Sequence, residues 1–133
     1  MILLDTHVLI WMNTNDRSLG GKCRREIERE WVRQEVAVSA ISFWECAMLH
    51  LRGRITLPIE PLDWRRSLIV AGLQEFPVTG EIGILAADLT SLHNDPADRI
   101  IAATAIASHA KLLTADRQLL NWKHELRRVD ASR

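Results

Sequence analysis

Ile2-Leu3-Leu4 is an apolar run without alternation, the pattern of a strand buried on both faces. It stops at Asp5-Thr6, after which Val8, Trp11 and Met12 recur at helical spacing. Polar residues and two glycines between Asn13 and Gly21 predict a loop. Lys22 to Glu35 is highly charged, with Cys23, Ile27 and Trp31 four residues apart, so a helix with one inward stripe is expected. Val36-Ala37-Val38 reads as a second buried strand. Ser39 or Ser42 then caps a helix to about Leu51, ended by Gly53.

Pro58 and Pro61 bracket a loop, and a helix from about Leu62 to Gln74 follows. Phe76-Pro77-Val78 is expected at a sheet edge, because proline is excluded from the centre. Thr79 reads as the cap of a helix carrying Ile82, Leu85, Ala86 and Leu89. Asp95-Pro96 opens an Ala- and Ile-rich helix to Ala110, followed by a strand at Lys111 to Thr114. Asp116 to Leu120 predicts a short helix, and Val129 a last strand. Short strands alternating with helices predict an α/β fold, with a mainly parallel central sheet and helices on both faces. The order of the strands does not follow from this pattern.

The length of 133 residues fits one domain, expected over 1–133. Seventeen Lys and Arg balance seventeen Asp and Glu, so no general field draws the chain to nucleic acid or membrane. A charged partner must be read by a local patch. Cys23 and Cys46 form neither a disulfide framework nor a metal-ligand pair by spacing, and read as reduced thiols. No basic leader precedes the apolar start, and no segment reaches the ~20 apolar residues of a membrane span. A cytoplasmic protein without a membrane partner is expected.

Four acids occupy one kind of position. Asp5 ends the first strand, Glu45 lies in the helix after the second, Asp98 starts the Ala-rich helix, and Asp116 follows the Leu112-Leu113 strand. In an open α/β sheet these places gather on the rim where ligands bind. Each also has a capping explanation. Ser42-Phe43-Trp44-Glu45 fits a capping box. Asp95-Pro96-Ala97-Asp98 is a good helix start, and Thr114 with Asp116 reads likewise. Asp5 tips the balance, because its neighbours are apolar and a buried, unpaired carboxylate is costly. A divalent cation would resolve that cost. Oxygen-only donors favour Mg²⁺ or Mn²⁺, which suit phosphoryl chemistry.

Leu4-Asp5-Thr6-His7-Val8-Leu9-Ile10-Trp11 resembles the opening of PIN-domain ribonucleases, particularly VapC-type toxins of toxin–antitoxin pairs. Ser39 to Glu45, His93 to Arg99 and Leu113 to Asp116 resemble their next three motifs, in order and spacing, over essentially the whole chain. Ala97 departs from the pattern, since relatives more often carry a large aromatic there. The resemblance implies a PIN fold of about five strands and Mg²⁺- or Mn²⁺-dependent cleavage of RNA. It implies Asp5 and Asp98 as principal metal ligands, Glu45 and Asp116 completing the acidic pocket, and Thr6, Ser42 and Thr114 hydrogen-bonding the acids. It further implies a homodimer held inactive by a cognate VapB-like antitoxin. The alternatives are a catalytically silent PIN module that binds RNA or protein, and a phosphoryl-accepting regulatory domain. The adjacent acids typical of the latter are missing near the start.

Other residues stay open at this point. Arg99 and Arg117 directly follow two site acids, and either grip RNA phosphates or pair with local acids. His7 reads as a polar contact more readily than a ligand, while His93 and Asp95 shape a helix start. Trp11 and Trp44 read as core or interface packing before base stacking, and Trp31 as core or partner contact.

Overall fold

Five short strands carry the sheet: β1 (Ile2–Leu4), β2 (Val36–Ser39), β3 (Gln74–Phe76), β4 (Lys111–Thr114) and β5 (Arg128–Asp130). The computed structural model describes residues 1–133. Seven helices connect the strands: α1 (Thr6–Thr14), α2 (Gly21–Val32), α3 (Ala40–Leu51), α4 (Pro61–Ala71), α5 (Gly80–Asp88), α6 (Pro96–Ser108) and α7 (Arg117–Asn121). The strand order is β3-β2-β1-β4-β5 and every pairing is parallel, which confirms the α/β expectation.

Alternate residues of each central strand feed opposite faces, so both parities must be apolar. Ile2, Leu4, Val36, Val38 and Leu113 pack with Val8, Leu9, Ile27, Trp64 and Leu68 on one face. Leu3, Ala37 and Leu112 pack with Ala86, Ile101, Ala102, Ala105 and Leu119 on the other. Cys23 and Ile27 of α2 point inward as expected, with Trp31 half-buried beside them. Both cysteines are free and buried, and burial pushes their thiols up to about 11 and about 12.

Local chemistry moves several boundaries. The strand near Phe76 ends before Pro77, which has no N–H for the ladder. Helix α4 stops at Ala71, where Gly72 turns the chain at φ 121°. Ser39, not Ser42, caps α3, its Oγ accepting from the Ile41 amide (3.2 Å). Ser42 and Glu45 therefore form no capping box. Helix α2 lacks a side-chain cap, and the Arg133 carbonyl accepts from the Lys22 and Cys23 amides instead (3.0 and 3.3 Å). Gly20 permits that approach, since a Cβ there would lie 1.9 Å from the Arg133 backbone.

Candidate active site

The carboxyl ends of β1, β2 and β4 form one rim, and an acid follows each. Asp5 is the first residue off β1 and the N-cap of α1. Glu45 lies in the second turn of α3, which continues from β2. Asp116 follows β4 by two residues and caps α7. Asp95 caps α6, with Asp98 in its first turn. These five acids line a cavity of about 430 Å³ with His7, Trp11 and Ala115. The chain's progress across the sheet reverses between β1 and β4, so the cavity lies at the switch point where such sheets bind ligands.

Capping and site geometry coexist on the same residues. Asp116 Oδ1 accepts from the Gln118 and Leu119 amides (2.7 and 3.2 Å), leaving Oδ2 on the side of His93. Asp5 Oδ1 accepts from the Thr6 amide (2.8 Å), and Oδ2 from the Thr114 hydroxyl (2.6 Å). Thr114 Oγ1 also accepts from the Asp116 amide (3.0 Å), tying two site acids through one side chain. Thr6 Oγ1 lies 2.5 Å from Glu45 Oε1 and 3.0 Å from Ser42 Oγ. A hydroxyl has one proton, so Thr6 donates to the carboxylate and accepts from Ser42. Ser42 thus acts on Glu45 through Thr6 rather than by touching an acid, which corrects the sequence expectation.

The electrostatics are those of a crowded acidic site. Asp5 is 5% exposed, and burial raises its pKa against the lowering effect of the Thr114 and Thr6 bonds. Burial also raises Glu45, opposed by its bond from Thr6. Asp98 is pushed up to about 8, by burial first and then by Asp5, Asp95 and Asp116. The one basic side chain within ion-pair reach of Asp98 and Asp116 is a histidine. His93 Nε2 lies 3.3 Å from Asp98 Oδ2 and 3.9 Å from Asp116 Oδ2.

Both flanking arginines are turned to structural use. Arg99 donates to five backbone carbonyls, those of Ala86, Ala87, Leu89, Leu92 and His93, at 2.6 to 3.2 Å. Its guanidinium is saturated, so the expectation that Arg99 grips RNA is withdrawn. Arg117 pairs with Asp130 at 2.7 Å, the local-acid alternative. Trp11 lines the cavity half-buried, whereas Trp44 is 54% exposed and belongs to no core. His93 is the site residue that sequence reasoning undervalued. The available signal was a histidine two residues ahead of a capping aspartate.

The donor set fits a hard divalent cation. Asp98 and Asp116 bring carboxylate oxygens within 4.8 Å of each other and of a His93 ring nitrogen, and Asp5 and Glu45 line the cavity with these two acids. Buried carboxylates with elevated pKa values and no Lys or Arg partner lack positive charge, which such an ion carries.

The PIN domain family model matches residues 2–124. The chain belongs to the PIN domain family. Ribonuclease VapC22 of Mycobacterium tuberculosis is a relative, 36% identical over 124 residues, or 92% of each sequence. The PIN fold seen here is also that of VapBC2 from Rickettsia felis bound to a promoter DNA fragment. That likeness has a TM-score of 0.70 at 18% identity, covering 97% of this chain and 98% of that one. A toxin–antitoxin complex from Klebsiella pneumoniae matches with a TM-score of 0.64 at 18% identity, covering 92% and 93%. These two likenesses concern the PIN fold alone.

Proposed function

We propose that this PIN domain is an Mg²⁺- or Mn²⁺-dependent endoribonuclease, acting as the toxin of a toxin–antitoxin pair. The observation that carries the reading is the cation-poor cavity at the switch point, where Asp5, Glu45, Asp98 and Asp116 gather and burial raises the pKa values of the first three. The name of its relative, a ribonuclease, supports the reaction class.

Asp5 and Asp98 would hold the ion, with Asp116 beside them. When bound, the ion activates water and neutralises charge on the attacked phosphate. Glu45 and Asp116 orient the attacking water. Thr114 fixes Asp5, and Thr6 fixes Glu45, so neither acid pays the full cost of ordering when the substrate arrives. In the ion-free protein Asp98 keeps a proton near neutral pH, and that proton competes with metal.

The partners we assign are RNA, a VapB-like antitoxin and a second copy of the chain. One solved neighbour of the same fold is described as a toxin–antitoxin complex, which supports the second. An apolar groove of about 560 Å³ lined by Met12, Ile27, Trp31 and Leu68 supplies surface for a bound protein segment. Exposed Trp44 and Leu51 on α3 and Ile84 on α5 offer further apolar contact area. No helix is long and apolar enough to cross a membrane, in keeping with the cytoplasmic role we assign.

The test is cleavage of single-stranded RNA by purified protein, with the fragment ends mapped. Cutting that needs Mg²⁺ or Mn²⁺ and leaves a 5′-phosphate is expected. Activity surviving exhaustive chelation sinks the metal mechanism. RNA binding without cleavage under any divalent ion points to the silent module.

A further inference from the structure

His93 is held both at its backbone and at its ring. Its carbonyl accepts from Arg99 Nη1 (3.2 Å), as does that of Leu92 (2.9 Å). Its Nδ1 accepts from the Asp95 amide (3.4 Å). Asp95 is itself fixed, its Oδ1 accepting from the Asp98 amide (3.0 Å) and its carbonyl from the Arg99 amide (3.1 Å). With Nδ1 used as an acceptor, the proton of the neutral ring sits on Nε2.

That Nε2 is shielded from solvent and has no hydrogen-bond partner. A buried donor left unsatisfied is costly, so its surroundings need a reason. The acceptors facing it are Asp98 Oδ2 and Asp116 Oδ2, at 3.3 and 3.9 Å. Capping occupies the other oxygen of Asp116 but leaves Asp98 with no such restraint on its side chain.

We propose that His93 is a positioning residue: its Nε2–H orients the Asp98 and Asp116 carboxylates toward a divalent cation. The inference rests on the metal-dependent reading above. Ligation by His93 is a different role, because a ligand nitrogen must offer a lone pair, and here the Asp95 amide takes the lone pair on Nδ1. Arg99 belongs to the same device. By gathering five carbonyls between Ala86 and His93, it places the loop from which the imidazole enters the site.

The experiment measures Mn²⁺ binding to the whole chain by calorimetry, and the Mn²⁺ coordination by electron paramagnetic resonance. Wild type is compared with His93→Gln, which keeps an amide donor, and His93→Phe, which keeps a ring without one. The Phe variant is expected to bind Mn²⁺ about 10- to 100-fold more weakly, with Gln close to wild type. Wild-type spectra are expected to show no directly coordinated nitrogen. Nitrogen coupling in wild type that disappears in His93→Phe would overturn positioning in favour of ligation. Equal affinity in wild type and the Phe variant would overturn any role for the ring, with the metal site itself left standing. Absence of Mn²⁺ binding by wild type would bring down the metal reading and this inference with it. Apo melting curves identify a variant that fails to fold. If Phe does, His93→Gln binding as wild type does, against weakened binding by His93→Ala, supports the donor, and equal loss in both overturns it.

Discussion

Glu35 and Glu26 lie toward the amino ends of the strands, and each meets a cation. Glu35 pairs with the Met1 amino group at 3.3 Å, and Glu26 with Lys111, the first residue of β4. At the carboxyl ends of the same strands, five acids share one cavity, and the arginines that follow Asp98 and Asp116 in sequence face backbone carbonyls and Asp130 instead. One end of the sheet neutralises its acids in pairs, while the other concentrates them. Pairing is the arrangement expected of a surface serving the fold alone. Concentration costs stability and persists only where the two apolar faces supply the difference.

Asp98→Asn breaks the contrast most sharply. It should lower RNA cleavage about 10³-fold or more, since several kcal/mol of charge stabilisation depend on the bound ion. The same change removes the cost of holding that carboxyl protonated in the crowded site, so apo melting near neutral pH should rise by about 2–5 °C for each kcal/mol of relief. Full cleavage by the variant would reduce the carboxyl end to a set of helix starts.

The next largest effect separates the two arginines. Arg99→Met strands several carbonyls and should cost about 2–4 kcal/mol in urea unfolding. Arg117→Ala removes one exposed pair and should change stability by less than about 0.5 kcal/mol. Similar costs for both would mean that the clamp on residues 86–93 is not where the rim gets its support.

Titration sharpens the comparison further. Asp98 holds its proton more tightly when folded than unfolded, since its pKa rises from 3.8 to about 8. Its contribution is complete below about pH 4 and is lost as pH climbs toward 8, so apo melting should fall over that range. Bound metal needs the acids deprotonated, so metal stabilisation should grow over the same interval. Melting between about pH 5 and 8, with chelator and with Mn²⁺, should give diverging curves. Parallel curves would show that no ion engages these acids.

The smallest effect belongs to the amino end. Lys111→Ala should cost about 0.2–1 kcal/mol, shrinking as salt is raised. A loss as large as that from Arg99→Met would erase the distinction between the two ends.

How far the sequence reveals this arrangement depends on what carries each contact. Ile2 to Leu4 and Lys111 to Thr114 are legible because burial on both faces leaves unbroken apolar runs. Their adjacency is not legible, because parallel pairing is made by backbone groups that every residue shares. The acids are legible as a type at strand ends. Arg99 is misread for the opposite reason: its partners are carbonyls, which leave no mark on residue identity. The choice between core and interface for Trp44 is not legible, because α3 is apolar around much of its circumference and only Ser42 and Cys46 show which side is buried.

Thr114 and Asp5 share a hydrogen bond across 109 positions of the chain. Synthesis delivers Asp5 early, along with the central strand that precedes it, and Asp98, Thr114 and Asp116 much later. A contact so distant in sequence forms slowly, because a long loop must close before any gain is returned. A partly made chain therefore carries every acid up to Glu45 and no working rim. During synthesis the rim stays open until α6 and β4 have emerged and docked, and Asp5 waits more than a hundred residues for its partner hydroxyl.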